Sequence, residues 1–490
     1  MKLLNWMFAA TVGFTFAACS NNDGIEAGDA NGNGAGLEEG STYAALTLNF
    51  NNKASRANTP GEYGEDGSKE ENTVTTLRLV VVDATTNTVE YNETPNLADI
   101  QTVWKKQAFT IKLTPGQKKF YAIVNEDEAF AGQAVADLET YLTTAVAKGV
   151  SDIAADNKFM MTNVDEVVGY MQNNVTAAEA VAGRNNVSIL VDRVSAKVEV
   201  VQAAAVSYKN DAHVEAGADF QVALGNADLT ATAGYTAVGF FRMQKHNADN
   251  TEWYTPYTDF APAADAVHTV PAEAAYQAVK AGNYLYCLEN VHTYGTTAAT
   301  SKYKQGNTTY AAIRVPVLVK EKANLSYTNG KLTVGNVVTV DSPTKAAFYF
   351  VSGAQAPYEA LLGQYILSSD LVTLGESFGE TGDEAAKKAK AIEELKNLGI
   401  SLSAEYADGY AYFKSWINLE YNTDGSVSNP YVSPVFRNNW YKLTINSITF
   451  PGEPNKPAIY VDEPLKVENN ALISVEIRNW NLVEHGIDLE

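Results

Sequence analysis

Short runs in which apolar and polar residues alternate recur along most of the chain, and turn-forming residues separate them. Successive side chains of a β-strand point to opposite faces of the sheet, so this pattern predicts half-buried strands. The 27 Tyr residues agree, because aromatic residues are enriched in strands. We therefore predict a mainly β protein, and the clearest strand candidates are Thr75–Asp83, Phe120–Asn125, Val187–Val201, Ala311–Val319, Ala346–Val351 and Trp440–Phe450.

Helical periodicity is confined to few, short segments. The strongest helix prediction covers Glu384–Leu398, in which apolar positions recur every three residues. Thr381 and Glu384 have the spacing of a capping box, and Gly399 is the expected stop. Many strands with few helices suit β-sandwich domains.

The first nineteen residues have the composition of a targeting segment. Lys2 precedes an apolar run over Leu3–Ala18, which is short for a membrane span and ends in small residues before Cys19. This pattern is typical of a bacterial lipoprotein signal peptide, so residues 1–19 are predicted to be the signal with Cys19 as the lipidated residue, a palmitate carrier. Residues 20–40 are rich in Gly, Asn and acidic residues and are expected to form a flexible tether.

Length and charge narrow the classes of protein. At 490 residues the chain has room for two or three domains, and we place a boundary near Tyr235, between residues 57–235 and 236–450. The 36 basic and 58 acidic residues give a net charge of −22. Such a charge repels nucleic acid and anionic lipid, so no nucleic-acid partner is expected.

The sequence contains three candidates for a reactive thiol or a metal site, and each lacks a feature that such a site requires. Cys287 lies in an apolar, strand-like run and is expected to be a buried, inert thiol. The five His residues lack zinc-ligand spacing. Asp29–Gly34 resembles half of a calcium loop, but Gly40 stands where the loop requires a Glu. No metal site is predicted.

A serine-hydrolase motif is also rejected. Gly375–Gly379 has the pattern GxSxG, but His485 is the only His downstream of it. We expect a turn before the Glu384 helix. No set of acid, base and nucleophile is visible, so we predict neither an enzyme nor a cofactor.

Trp253–Phe260 is an aromatic cluster with two interpretations. Exposed aromatic rings could stack on sugars, which would suit a monomeric surface glycan-binding lipoprotein. Packing at a strand end or domain seam is the favoured interpretation.

The start of the folded part combines a strand with a cuttable loop. Tyr43–Phe50 predicts a strand with Leu46, Leu48 and Phe50 on one face. A polar loop with a single arginine, Arg56, follows it. Exposed polar loops are where proteases cut.

Strand-like sequence also continues beyond the last domain strand, in residues 451–490. A first piece runs from Ile459 to Val467 and contains Pro464. A second piece has one apolar face that shifts phase near Asn479, and its apolar residues are Ile473, Val475, Ile477, Trp480 and Leu482. Either face of this piece could be the buried one.

Several segments, in this order, resemble the Bacteroidales fimbrillins, the subunits of protease-assembled type V pili, and within them the shaft subunit of the minor fimbrium. Besides the lipoprotein leader, the similarity is carried by Leu77–Asp83, Phe120–Asn125, Phe159–Asn163, Asp192–Val198, Tyr286–Asn290 and Arg437–Ile445.

The resemblance implies a fold and an assembly mechanism. It implies two tandem transthyretin-like β-sandwich domains, with residues 20–56 as tether and removable leader strand and residues 451–490 as donor-strand tail. An arginine-specific protease would cut between Arg56 and Ala57, and the leader strand with Leu46, Leu48 and Phe50 would leave. The C-terminal strand of another copy would fill the vacated groove.

The resemblance further implies an outer-membrane lipoprotein precursor that ends in a cell-surface fimbrium with a role in adhesion and biofilm. Its partners would be other copies of itself, tip and anchor subunits, the processing protease, and host or bacterial surface receptors. A tip adhesin is the alternative within the family, but a tip subunit need not donate a strand, so Ala471–Leu482 favours the shaft.

Overall fold

The computed structural model describes residues 41–50, 64–66, 68–96, 108–126, 130–132, 134–144, 146, 149–163, 166–204, 206–208, 211–227, 242–243, 271–421, 427–448, 452–456, 459–466 and 471–481. The predicted signal segment with Cys19, the rejected calcium loop, the aromatic cluster Trp253–Phe260 and the boundary near Tyr235 lie outside the described residues.

Strands dominate the described chain, as predicted. The strands up to residue 202 are β1 (Thr42–Phe50), β2 (Gly64–Asp66), β3 (Leu77–Asp83), β4 (Thr88–Glu93), β5 (Phe109–Leu113), β6 (Gly116–Val124), β7 (Met161–Asn163), β8 (Val167–Met171), β9 (Asn186–Arg193) and β10 (Ser195–Gln202). Those up to residue 339 are β11 (Val214–Ala216), β12 (Gln221–Gly225), β13 (Gln277–Ala278), β14 (Tyr284–Leu288), β15 (Tyr310–Val319), β16 (Glu321–Lys322), β17 (Leu325–Thr328), β18 (Lys331–Val334) and β19 (Val338–Thr339). The last are β20 (Phe348–Ala354), β21 (Tyr365–Leu367), β22 (Ile400–Leu402), β23 (Tyr410–Trp416), β24 (Glu420–Tyr421), β25 (Val427–Asn429), β26 (Asn439–Ile448) and β27 (Ala471–Asn481).

Helices are few and short, also as predicted. They are α1 (Lys69–Asn72), α2 (Val135–Thr143), α3 (Val150–Ile153), α4 (Ala177–Val181), α5 (Ser368–Ser377) and α6 (Glu384–Asn397), with single 3-10 turns at Glu273–Ala275 and Glu359–Leu361.

The first sheet has the strand order β4-β3-β6-β7-β9-β1-β5, and β8 pairs with β6. One face of this sheet forms a core with residues such as Leu79, Phe120 and Ile189. Part of the opposite face is covered by α2, whose Leu138 and Leu142 pack against Val80 and Ile123. The sheet is therefore buried on both sides over β3 and β6, and β1 lies among its inner strands.

The chain passes from the first sheet to the second at Val194. The sequence predicted one strand over Val187–Val201, and this was wrong, because the run is split into β9 and β10. The Val194 amide still donates to the Met160 carbonyl at 3.0 Å, in register with the pairing of β9 and β7, whereas the next residue, Ser195, pairs with Leu288 in another sheet. Val194 is itself buried and apolar, which is why the sequence pattern did not show the break.

The second sheet has the order β14-β10-β26-β27-β2 and packs on both faces. Ala196, Val198 and Val200 of β10 belong to a core shared with β15. From the other face, Trp440 of β26 reaches the core of the first sheet. The second sheet therefore joins two hydrophobic cores.

The third sheet has the order β11-β15-β12-β13, and β23 also pairs with β15. Its central strand β15 is buried over almost its whole length, with Ile313, Val315 and Val317 in the core shared with the second sheet. A long apolar strand with both faces covered is expected at such a position.

A smaller cluster joins α5 and α6 to strands β20, β21 and β22. The predicted helix is confirmed as Glu384–Asn397, but the predicted capping box is wrong. Asp383 is the N-cap, because its Oδ1 accepts the Ala386 amide at 2.8 Å.

The GxSxG segment was predicted as a turn, and this was wrong for its first half. Residues up to Ser377 complete α5, and the chain turns at Gly379, where φ is 91°. The structure thus places Ser377 in the last helical turn, where its hydroxyl donates to the Thr373 carbonyl at 3.1 Å.

The first strand-like piece of the tail was also predicted incorrectly. Residues 459–466 form turns and irregular structure, with Val461 and Leu465 buried. Leu465 packs beside Trp416, whose ring nitrogen donates to the Lys466 carbonyl at 2.8 Å. This piece therefore lies on the body as a packed loop.

The contact between α5 and α6 generates a stability prediction. A Cβ atom added at Gly375 would collide with the Lys387 backbone carbonyl. Overpacking of this kind costs about 1–3 kcal/mol, which exceeds the helix-propensity gain of at most about 1 kcal/mol. Gly375→Ala is expected to lower the free energy of unfolding by about 1–2 kcal/mol in chemical denaturation. The exposed control Ser377→Ala should change it by less than about 0.5 kcal/mol, and equal effects of the two substitutions would contradict the packing argument.

Candidate functional site

The strand β1 fills the space between two other strands of the first sheet. It runs parallel to β9, with Leu46 opposite Val187 and Leu48 opposite Ile189. It runs antiparallel to β5, with Ala44 opposite Ile111. Since an inner strand satisfies hydrogen bonds on both edges, its loss would leave two strand edges facing an open groove.

The side chains of β1 are buried on both faces. Ala44, Leu46 and Leu48 are at most 1% exposed and belong to the core of the first sheet. On the opposite face Ala45 is fully buried and packs with Val175 and with Ala180 of α4. The structure therefore places the predicted residues Leu46 and Leu48 in the core, while the Phe50 side chain lies outside the described residues.

Polar contacts hold the beginning of β1. The buried Thr42 hydroxyl donates to the Gln172 carbonyl at 2.7 Å and accepts from the Val175 amide at 3.1 Å. The Asn185 side chain donates to the Thr42 hydroxyl at 3.0 Å and to the Tyr43 carbonyl at 2.9 Å. We call these side-chain and backbone groups around Thr42 the polar clasp. The sequence does not predict this clasp, because nothing in the local pattern distinguishes Thr42 from an exposed threonine.

The loop that follows β1 carries the predicted processing residues. Arg56 and Ala57 lie outside the described residues, and the chain is described again at β2 and from Ser68 onward. The helix α1 then begins with a capping box, in which Ser68 and Glu71 bond each other's backbone amides. The sequence S-x-x-E could have indicated this helix start.

Glu71 is a buried carboxylate that ties α1 to the second sheet. It lies 2.8 Å from Lys197 Nζ of β10, and both side chains are 1% exposed. The Tyr286 hydroxyl of β14 also donates to it. Lys197 Nζ lies 3.6 Å from the centre of the Tyr284 ring and 4.5 Å from that of Trp440.

The charges around Glu71 set its protonation. Burial alone would raise the pKa of Glu71, but the Lys197 charge and the hydrogen bonds from Lys197 and Tyr286 outweigh it and hold the pKa below the ordinary value. Burial lowers the pKa of Lys197 in spite of the nearby Glu71 carboxylate. Glu71 therefore stays ionised and paired, and it anchors the chain immediately after the loop.

The strand β27 pairs with β26 along the edge of the second sheet. Ile473, Val475 and Ile477 stand opposite Ile445, Leu443 and Tyr441, and the register shifts between Ile445 and Ser447. At its far end β27 also pairs in parallel with β2, with Trp480 opposite Glu65. The predicted donor residue Leu482 lies outside the described residues.

The structure brings the leader and donor segments into different sheets. β1 belongs to the first sheet and β27 to the second, so the predicted residue sets Leu46/Leu48 and Ile473/Val475/Ile477 do not share a strand pair. Both sheets nevertheless border on the same core, because Trp440 of β26 packs into it together with Leu46 and Leu48.

The thiol of Cys287 lies in the apolar core shared by the second and third sheets. Cys287 is fully buried, as predicted, and burial raises the pKa of its thiol to about 12. Within the described residues no group of three or more His, Cys, Asp or Glu side chains is arranged to hold a metal ion. In the same part of the chain no helix is both long and apolar enough to cross a membrane.

The Glu71 anchor generates a pH prediction. Removing one partner of a buried ion pair costs about 3–5 kcal/mol, so Glu71→Gln should lower the free energy of unfolding by that amount at pH 7. Because folding lowers the pKa of this carboxyl from 4.5, the stabilisation is complete above that pH and is lost as the pH falls through the folded-state value. The difference between wild type and variant should therefore shrink in denaturation experiments at pH 3. The exposed neighbour supplies the control, Glu70→Gln, and a difference that is independent of pH would contradict the assignment.

Comparison with known proteins gives the family. Residues 44–193 match the family model "Major fimbrial subunit protein (FimA)", and residues 404–485 match "Major fimbrial subunit protein type IV, Fimbrillin, C-terminal". No curated protein matches the chain.

Solved structures resemble the chain over most of its length. A fimbrilin (FimA) from Porphyromonas gingivalis W83 is 13% identical, with 90% of this chain and 99% of that chain covered and a TM-score of 0.44. The tip fimbrial protein Mfa3 from Porphyromonas gingivalis, with a C-terminal truncation, is 13% identical, with 90% and 100% covered and a TM-score of 0.34. The first family match spans nearly all of β1 to β9 and the second spans β23 to β27, and on these two matches the chain belongs to the fimbrillin family of fimbrial subunit proteins.

Proposed function

We propose that this chain is the precursor of a fimbrial shaft subunit, in which β1 is cut out and replaced by β27 of another copy. The observation that carries the proposal is the place of β1, an inner strand whose Ala44, Leu46 and Leu48 fill the core of the first sheet. A core groove of this kind accepts an extended segment by strand addition, with ladder hydrogen bonds for grip and alternate side chains for register.

Removal of β1 needs a covalent cut. As long as the loop is intact, β1 competes from within the same molecule at a high effective concentration, and a free tail cannot displace it. Cleavage between Arg56 and Ala57 would turn β1 into a dissociable strand. The Glu71 anchor lies after the loop, so the new N-terminal segment would stay attached to the second sheet.

The joint between copies would be durable without a covalent bond. Burying five apolar side chains at ~2 kcal/mol each gives on the order of 10 kcal/mol before ordering costs. The donor residues for this joint are Ile473, Val475, Ile477, Trp480 and Leu482.

The proposal also covers where the precursor is held in the cell and which partners it meets. Cys19 would carry the lipid that holds the precursor at the outer membrane, and cleavage after Arg56 would release the subunit into the fimbrium. Other copies, tip and anchor subunits, an arginine-specific protease and surface receptors would be its partners. The glycan-binding alternative rests on Trp253–Phe260, and the tip-adhesin alternative gives no role to β27.

A cleavage experiment tests the proposal. The chain without residues 1–19 is treated with an arginine-specific protease, and its N-terminus and particle mass are followed together. We expect a new N-terminus at Ala57 and ladders of SDS-resistant oligomers.

Matched variants test which residue is cut and which segment joins the copies. Arg56→Ala should abolish both the new terminus and the oligomers, whereas Lys53→Ala should leave both unchanged. Deletion of residues 471–490 should leave the cut but remove the oligomers. A clean cut at Arg56 that yields only monomers of the undeleted chain would refute the shaft function.

A further inference from the structure

The segments β1 and β27 share one side-chain pattern. Ala44–Phe50 has the sequence AALTLNF, and Ala471–Ile477 has the sequence ALISVEI. Both begin with alanine, carry large apolar residues at the third, fifth and seventh positions, and have a threonine or serine at the fourth. If the second segment replaces the first, this alignment defines a register.

The first position of this pattern accepts only a small side chain. Ala44 is fully buried in the core, whereas Leu46 and Leu48 fill larger spaces next to it. A groove left by β1 would therefore take one small residue and then two large ones on its inner face. Because protein cores are close-packed, a large side chain in place of Ala44 would have no room.

The outer face can accept the same alignment. Ala45 is covered by Val175 and Ala180, and the half-buried Tyr43 packs beside this cluster. The alignment puts Leu472 at the place of Ala45 and Asn470 at the place of Tyr43. Asn470 is smaller than Tyr43, and Leu472 is larger than Ala45. The two exchanges therefore nearly preserve the total side-chain volume on this face.

The polar clasp agrees with this alignment as well. Asn469 falls at the place of Thr42, whose hydroxyl bonds the Gln172 carbonyl, the Val175 amide and the Asn185 side chain. An asparagine side chain offers both a donor and an acceptor, so it can serve a site of this kind.

Other alignments conflict with the same site. A shift by two residues puts Ile473 at the small Ala44 position and Ala471 at the Thr42 position, where it offers no polar group. The reversed direction with Ala471 kept at Ala44 puts Asn469 into the apolar place of Leu46.

From this fit we infer that the groove of one copy takes β27 of a second copy in the direction of β1, with Ala471 at the place of Ala44. The donor strand then runs parallel to β9 and antiparallel to β5, and Ile473 and Val475 take the places of Leu46 and Leu48. This inference rests on the proposed function, since it specifies how the two copies join.

Engineered disulfides read out the register in fibres of the full chain. Ala45 stands opposite Thr110 of β5, so the inferred register brings Leu472 opposite Thr110 of the next copy. Directly opposed residues of antiparallel strands lie within disulfide reach, whereas diagonal ones lie about 7–8 Å apart. The variant L472C/T110C should therefore give covalent ladders after cleavage and mild oxidation. The matched control S474C/T110C, which reports the two-residue shift, should give at least tenfold less cross-linked product.

A second variant tests the selective position. Ala471→Leu should slow fibre growth at least tenfold, whereas Ser474→Thr, at the half-buried place of Thr47 where β1 itself carries threonine, should slow it less than twofold. The thermal midpoint of each uncut precursor shows whether the substitution disturbs the fold before assembly.

The outcomes separate the register from the proposed function. Fibres that cross-link through S474C/T110C, or that grow normally with Ala471→Leu, would overturn the register while leaving strand exchange intact. Absence of fibres from the cut wild-type chain would overturn strand exchange and, with it, this inference.

Discussion

An inner strand of a sheet forms hydrogen bonds along both of its edges. In this protein β1, the first strand of the chain, is such an inner strand, because it lies between β9 and β5. Its inner face completes the core of the first sheet with Ala44, Leu46 and Leu48. Its neighbours β5 and β9 contribute Ile111 and Ile189 to the same core. The fold therefore depends on having some strand at this position, but its hydrogen bonds do not require that the strand belong to the same copy.

A second constraint holds the chain that follows the loop against the second sheet. The second sheet combines β10, β14 and β26, and its two faces belong to two cores. The buried pair of Glu71 and Lys197 attaches the chain that follows the loop to this sheet. The contact of Glu71 with Lys197 is thus distinct from the strand pairing of β1 with β9 and β5.

The sequence pattern predicted the strand content, the helix from Glu384 and the strand nature of β1 and of β27, because these elements have clear periodicity. It failed where tertiary contacts decide. A continuous apolar run hid the change of sheet at Val194, and nothing local showed that Lys197 is buried beside Glu71. The capping prediction failed by two residues because Thr381 and Asp383 are both good N-caps and only the packed geometry selects Asp383. The helix α5 was missed because its glycine-containing sequence resembled a turn, although Gly375 is required by the close approach of α6.

If the position of β1 is refilled from another copy, the composition of assembled fibres must show it. Fibres grown from the chain cut after Arg56 can be purified, dissociated and weighed by mass spectrometry, with the fragment that contains β1 as the quantity to be measured. Strand exchange requires fibres of chains that begin at Ala57 and contain almost none of this fragment. Fibres that retain the fragment in a one-to-one ratio would show that each copy keeps its own β1, and strand exchange at this groove would then be wrong.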